Sequence, residues 1–221
     1  MTARSGAAAT FLADNPVIAV LRAGHARQYP PVISALLAGG VRAIELTLST
    51  DGVFAELPSL IGEFGHDAVL GLGTVTDAKE AETALECGAR FLVTPTVELD
   101  VIHVALEAGV PVLPGGLTPT ELHRGWAAGA SAVKLFPAST VGPGYLGQLR
   151  GPFPDMQVVP SGGVGVDDAR TWIDAGAAAV SLGGPLIGDA FAGGDLGALT
   201  ERALRLTDVV RHAFDQRKAK V

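Results

Sequence analysis

The stretch AVLGLGTVTDAKEAETALECGARFLVT, residues 68–94, decides the fold. It opens on Ala68–Leu72, an apolar run too short for a helix and too continuously apolar for a sheet with one wet face. An amphipathic segment follows at Ala78–Cys87, and the Cys-Gly pair that ends it is the left-handed stop of a helix. A second apolar run, Arg90–Thr94, begins at once. Strand, helix, glycine and strand in that order make a parallel β-α-β unit whose strands are covered on both faces.

The pattern extends in both directions. Apolar runs rich in Val, Ile and Leu recur at Val17–Leu21, Val41–Leu46, Val110–Leu113, Ser131–Phe136, Gln157–Pro160 and Ala178–Leu182. Amphipathic segments at Leu99–Ala108, Thr120–Ala128 and Val166–Ala175 lie among them, one of them opened by the cap signal Thr118-Pro119. Eight strand–helix units starting roughly every 20 to 27 residues predict an α/β fold, a closed (β/α)8 TIM barrel. An open doubly wound sheet usually has fewer strands. A short helix over Ala7–Ala13, stopped by Asp14-Asn15-Pro16, is expected to plug or flank the barrel. No linker or composition shift divides residues 1–221, which read as one domain.

Of the 221 residues 48% are apolar, too many for a disordered chain, and the 29 Gly and 14 Pro follow no fibrous period. Sixteen basic against 23 acidic residues leave a net charge of −7, which offers nucleic acid and anionic lipid no electrostatic footprint. Arg211, Arg217, Lys218 and Lys220 gather at the C-terminus and read as the cationic end of a helix. No apolar run approaches the ~18 residues of a membrane span. The lone Cys87, which reads as a small buried hydrophobe, has no internal disulfide partner. A cytoplasmic protein is expected.

In a barrel of this kind the reactive groups stand at the C-terminal ends of the strands. Of four lysines, Lys134 alone lies inside an apolar strand, Ala132-Val133-Lys134-Leu135-Phe136-Pro137. Burial favours the neutral, nucleophilic form of an amine, the requirement for attack on a carbonyl to form a Schiff base. A buried ion pair is the competing reading. Glu45 is the one acidic residue set in mid-strand, in Ala43-Ile44-Glu45-Leu46-Thr47. If that face is the interior, Glu45 meets Lys134 and can shuttle protons for it; a purely structural salt bridge is the alternative.

Arg22 ends the first strand and could fork onto a substrate carboxylate or form an ion pair on the rim. Thr74, after Gly71-Leu72-Gly73, either offers a hydroxyl to substrate or caps the following helix. Ser161-Gly162-Gly163 and Gly183-Gly184 follow the last two strands, where backbone N–H groups of this fold cradle phosphate. The five histidines have no metal-ligand spacing, so no metal is expected. Gly162-Gly163-Val164-Gly165 does not complete a dinucleotide fingerprint, so no nicotinamide cofactor is expected either.

At these residues the chain resembles the class I 2-keto-3-deoxy-6-phosphogluconate (KDPG) aldolases, with their 4-hydroxy-2-oxoglutarate (KHG) and 6-phosphogalactonate relatives. The resemblance covers about residues 12–190. It rests on Ile44-Glu45-Leu46-Thr47-Leu48, Gly71-Leu72-Gly73-Thr74-Val75, Val93-Thr94-Pro95, Leu113-Pro114-Gly115, Val133-Lys134-Leu135-Phe136-Pro137, Pro160-Ser161-Gly162-Gly163-Val164 and Leu182-Gly183-Gly184. It implies that Lys134 forms the Schiff base and Glu45 is the general acid/base. It further implies that Thr74, Pro95 and Phe136 line the pyruvyl pocket and that Gly162, Gly163 and Gly184 hold the phosphate end. A homotrimer without metal or organic cofactor is implied as well, acting on a small 2-oxo acid and releasing pyruvate.

Two positions depart from the family pattern. Ser49 stands where many relatives carry the arginine that grips the substrate carboxylate, and Arg22 resembles the galactonate-branch arginine that can take over that task. Pro185 stands where a serine is common, which removes one hydroxyl and one N–H from the phosphate loop. Ser161 keeps a hydroxyl where the gluconate enzymes have Thr. The expected reaction is cleavage of 2-dehydro-3-deoxy-6-phosphogluconate to pyruvate and glyceraldehyde 3-phosphate. The same chemistry on 4-hydroxy-2-oxoglutarate or the 6-phosphogalactonate epimer is the alternative, and a non-catalytic sugar-phosphate-binding barrel is a third reading.

Overall fold

The computed structural model describes residues 6–219. Helix α1 (Gly6–Asp14) leads into β1 (Val17–Leu21), α2 (Tyr29–Ala38), β2 (Ala43–Thr47), α3 (Val53–Phe64), β3 (Val69–Gly73), α4 (Ala78–Glu86), β4 (Leu92–Val93) and α5 (Leu99–Glu107). There follow β5 (Val112–Leu113), β6 (Gly115–Gly116), α6 (Pro119–Ala127), β7 (Val133–Leu135), α7 (Gly144–Arg150), β8 (Val158–Pro160), α8 (Ala169–Asp174), β9 (Val180–Leu182), α9 (Gly184–Ile187) and α10 (Leu196–Lys218).

All the strand pairs are parallel. They form a six-stranded sheet in the order β5-β4-β3-β2-β1-β9 and a three-stranded sheet β6-β7-β8, in place of the expected single closed ladder of eight. Both interruptions fall at prolines. Pro114 separates β5 from β6, and its carbonyl accepts from Lys134 N at 2.8 Å, so its nitrogen also faces β7 but has no hydrogen to donate. On the other side Ala178 N donates to Val158 O at 2.9 Å, and a single bridge joins Ser161 to Ser181. Pro160 lies two residues beyond Val158, faces the same seam and again has no N–H to give.

The strands separate two apolar cores. On the outer side residues such as Ile44, Leu46, Val133 and Leu135 pack against the helices. On the inner side Ile18, Ala43, Phe91, Val93, Leu113, Ala132, Val159 and Ala179 form a second cluster, which Phe11 and Leu12 of α1 close from below. The Phe11 and Phe91 ring centroids lie 4.9 Å apart. The N-terminal helix is therefore a plug. Strand alternation continues the inner face upward from Ala43 to Glu45, from Ala132 to Lys134 and from Ile18 through Val20 to Arg22.

The helices end as expected: Gly40, Gly88, Gly109, Gly129 and Gly176 all have positive φ. At the C-terminus Arg217 and Lys218 stand in the last turn of α10, and Arg217 donates to the carbonyls of Ile173 in α8 and Ala177 beyond it. Arg211 instead pairs with Asp208, and Lys220 lies outside the described residues. Cys87 is half-buried against the outer core. Among the described residues no helix is long and apolar enough to cross a membrane.

Candidate active site

Glu45 is raised into the interior by β2 and Lys134 by β7, strands that belong to different sheets. Their side chains meet nevertheless: Lys134 Nζ donates to Glu45 Oε1 at 3.4 Å. Both are buried, with 8% and 1% of their surface exposed. Each charged group is costly to bury alone, so the pair and its hydrogen bond are what permit them to be inside at all.

Glycines make the room. Gly71 pairs with Glu45 and Gly73 with Thr47 in the β2–β3 ladder. A Cβ on Gly73 would collide with the Glu45 carboxylate, and one on Gly71 with the Phe91 ring. Two glycines on one face of a strand are a close-approach signal that a sequence can carry. Its target, Glu45 in the neighbouring strand, appears only in three dimensions.

The Phe136 ring extends over the amine, its centroid 5.4 Å from Lys134 Nζ, and is 40% exposed at the mouth. Below it Gly162 has φ +84, and a Cβ there would stand 2.9 Å from the ring. Thr74 is the one non-glycine among the described residues with positive φ, +63, a costly conformation for a β-branched side chain. It does not cap the helix: Asp77 does, accepting from Glu80 N at 2.8 Å. Pro95 is half-buried at the end of β4.

Arg22 is exposed, and among the described residues no carboxylate lies within ion-pair distance of it. Ser161 is buried and its Oγ donates to Ser181 Oγ at 3.2 Å. Ser181, the sole polar residue of Val180-Ser181-Leu182, is an anomaly of the same kind as Lys134, a polar side chain inside an apolar strand, though not among the site residues read from the sequence. Gly163 has φ +75 against the Ser139 side chain. Gly183 lies beside Val20, so the Gly183-Gly184 turn opens next to the strand that carries Arg22. Ser49 is exposed, and its Oγ lies 3.0 Å from Thr47 Oγ1.

A buried amine held against a buried carboxylate is an arrangement that suits an enzyme working through an imine, and comparison with known proteins places the chain among such lyases. The chain is a member of the KDPG and KHG aldolase family, whose family model matches residues 9–200. It is 34% identical to the 2-dehydro-3-deoxy-6-phosphogalactonate aldolase of Escherichia coli K12, over 77% of this chain and 84% of that protein. It is 32% identical to the 2-dehydro-3-deoxy-phosphogluconate aldolase of Dickeya dadantii, over 87% and 91%. Among solved structures it resembles the KDPG aldolase of Legionella pneumophila, with pyruvate captured as a covalent carbinolamine, at TM-score 0.82 and 27% identity, covering 90% of this chain and 97% of that one.

Proposed function

We propose that this chain is a class I aldolase that cleaves 2-dehydro-3-deoxy-6-phosphogluconate to pyruvate and glyceraldehyde 3-phosphate. The observation that carries the reading is the 3.4 Å contact between Lys134 Nζ and Glu45 Oε1 inside the fold. The Lys134 amine adds to the C2 carbonyl, and the carbinolamine loses water to give an iminium. Glu45, through a water, removes the proton of the C4 hydroxyl. The C3–C4 bonding pair then moves into the iminium, leaving an enamine and the aldehyde. The enamine takes a proton at C3, and hydrolysis releases pyruvate and the free amine.

In this reading Arg22 forks onto the substrate carboxylate, and Thr74, Pro95 and Phe136 line the pyruvyl pocket. Ser161 and the backbone N–H groups of Gly162, Gly163, Gly183 and Gly184 receive the phosphate end. The exposed, unpaired state of Arg22 and the left-handed glycines of the Gly162-Gly163 loop support these roles. The remaining parts of the proposal are a single domain over residues 1–221, a cytoplasmic homotrimer, and catalysis without metal or organic cofactor.

The test is covalent. With pyruvate and borohydride, mass spectrometry should find the reduced adduct on the Lys134 peptide; labelling elsewhere, with Lys134 unmodified, rejects the mechanism. Lys134→Ala should abolish turnover. Glu45→Gln should still allow trapping while slowing cleavage by about 10²-fold or more. A non-catalytic sugar-phosphate-binding barrel would bind the phosphosugar and trap nothing.

One observation favours a second reading, the same chemistry on an unphosphorylated 4-hydroxy-2-oxo acid: Pro185 opens the first turn of α9 and offers no N–H to a phosphate. Specificity constants with and without the phosphate decide between them. Removal of the phosphate should cost at least about tenfold if the first reading holds. Sedimentation of the purified protein tests the trimer.

A further inference from the structure

The β1–β2 ladder stops at the pair Leu21 and Leu46, one residue short of Arg22. Beyond that point side chains replace the backbone rungs. The Leu21 carbonyl accepts from Tyr29 Oη at 3.3 Å and from Thr47 Oγ1 at 3.2 Å. On the far side of Arg22 the Ala23 N–H donates to Thr50 Oγ1 at 3.1 Å. Thr47 Oγ1 in turn lies 3.0 Å from Ser49 Oγ and 3.5 Å from Thr50 Oγ1. Tyr29, Thr47 and Thr50 are almost wholly buried, at 0%, 0% and 2% exposure.

Buried hydroxyls cost stability unless each finds a partner, and here the three find theirs by converging on two peptide groups. The two peptide groups flank one residue. Arg22 is thus an exposed, unpaired guanidinium whose backbone is tied down on both sides, directly above the Val20 position that faces Glu45. A long side chain binds an anion more tightly when its base is fixed, because less freedom is lost on binding.

We propose that Tyr29, Thr47 and Thr50 form a buried clamp that positions Arg22 for the substrate carboxylate, with Ser49 serving the clamp and not the substrate. They are positioning residues, since none of them need touch the substrate. The inference deepens the reading that Arg22 holds the carboxylate, and rests on it.

Thr50→Val and Thr50→Ser are the main pair: the first keeps the shape and removes the hydroxyl, the second keeps the hydroxyl. Thr50→Val, and separately Tyr29→Phe, should raise KM about tenfold with kcat within about twofold, the scale of one lost hydrogen bond. Thr50→Ser should stay within about twofold of the parent. The same substitutions are then made in Arg22→Ala. If the clamp acts through Arg22, they change kcat/KM there by less than about twofold, although they cost about tenfold when Arg22 is present. Equal losses with and without Arg22 overturn the clamp and leave the Arg22 reading standing. An Arg22→Ala enzyme with unchanged kcat/KM overturns that reading, and the clamp with it. Trapping of pyruvate on Lys134 reports, in every variant, that the aldolase site itself is intact.

Discussion

At Gly73 the missing side chain is a functional group in its own right, because the space a Cβ would fill belongs to the Glu45 carboxylate. Gly73→Ala should displace Glu45 by an ångström or so and lower kcat by roughly 10²-fold, the usual penalty for misplacing a proton-transfer group, while borohydride trapping on Lys134 persists. Tyr29 gives a residue-scale prediction for stability. Burial pushes its phenol up from the ordinary value near 10 to about 12. An acid whose folded pKa is raised contributes stability that is complete below pH 10 and is lost as pH rises toward 12. Two pH units correspond to roughly 2–3 kcal/mol. Urea unfolding of the parent should weaken between pH 10 and 12 by about that much more than unfolding of Tyr29→Phe; parallel curves would disprove the assignment.

Among the elements, α1 shows best how local sequence becomes tertiary energy. Its side chains Phe11 and Leu12 belong to the inner core and to nothing else. Phe11→Ala should cost about 3 kcal/mol, the loss of a buried aromatic, and lower Tm by roughly 6–12 °C in a scanning experiment. Elements whose apolar period is strong were legible in the sequence: β1 runs over Val17–Leu21 as read, and the others moved by one to three residues at their ends. The two-residue β6 was not legible, for Gly115-Gly116 has no side chains from which a period can be read. The four-residue α9 begins Gly184-Pro185, which reads as a turn. The site divides along the same line. Lys134 and Glu45 stood out because a charge inside an apolar strand is locally anomalous. The partners of Tyr29 did not, because the OH group of a tyrosine and the hydroxyls of Thr47 and Thr50 become neighbours only after α2 has packed on the strands.

The molecule as a whole has a continuous half and an interrupted half. The β1–β2–β3 ladders run four and five residues, whereas the described contacts across the Pro160 seam include one bridge, the Ala178–Val158 backbone hydrogen bond and the Ser161–Ser181 hydroxyl bond. Amide exchange should follow that division, with the central amides of β2 and β3 at least about tenfold slower than those of the segment Ala178–Ser181 that face the seam. The plug of α1 has a consequence for traffic. Phe11 and Leu12 fill one end of the interior, and at the other end Phe136, 40% exposed, stands over Lys134 on the side that meets solvent. If Lys134 carries the imine as proposed, the three-carbon half stays tethered to the amine, so the aldehyde half departs first and the three-carbon half last, and in the synthetic direction the order of entry is reversed.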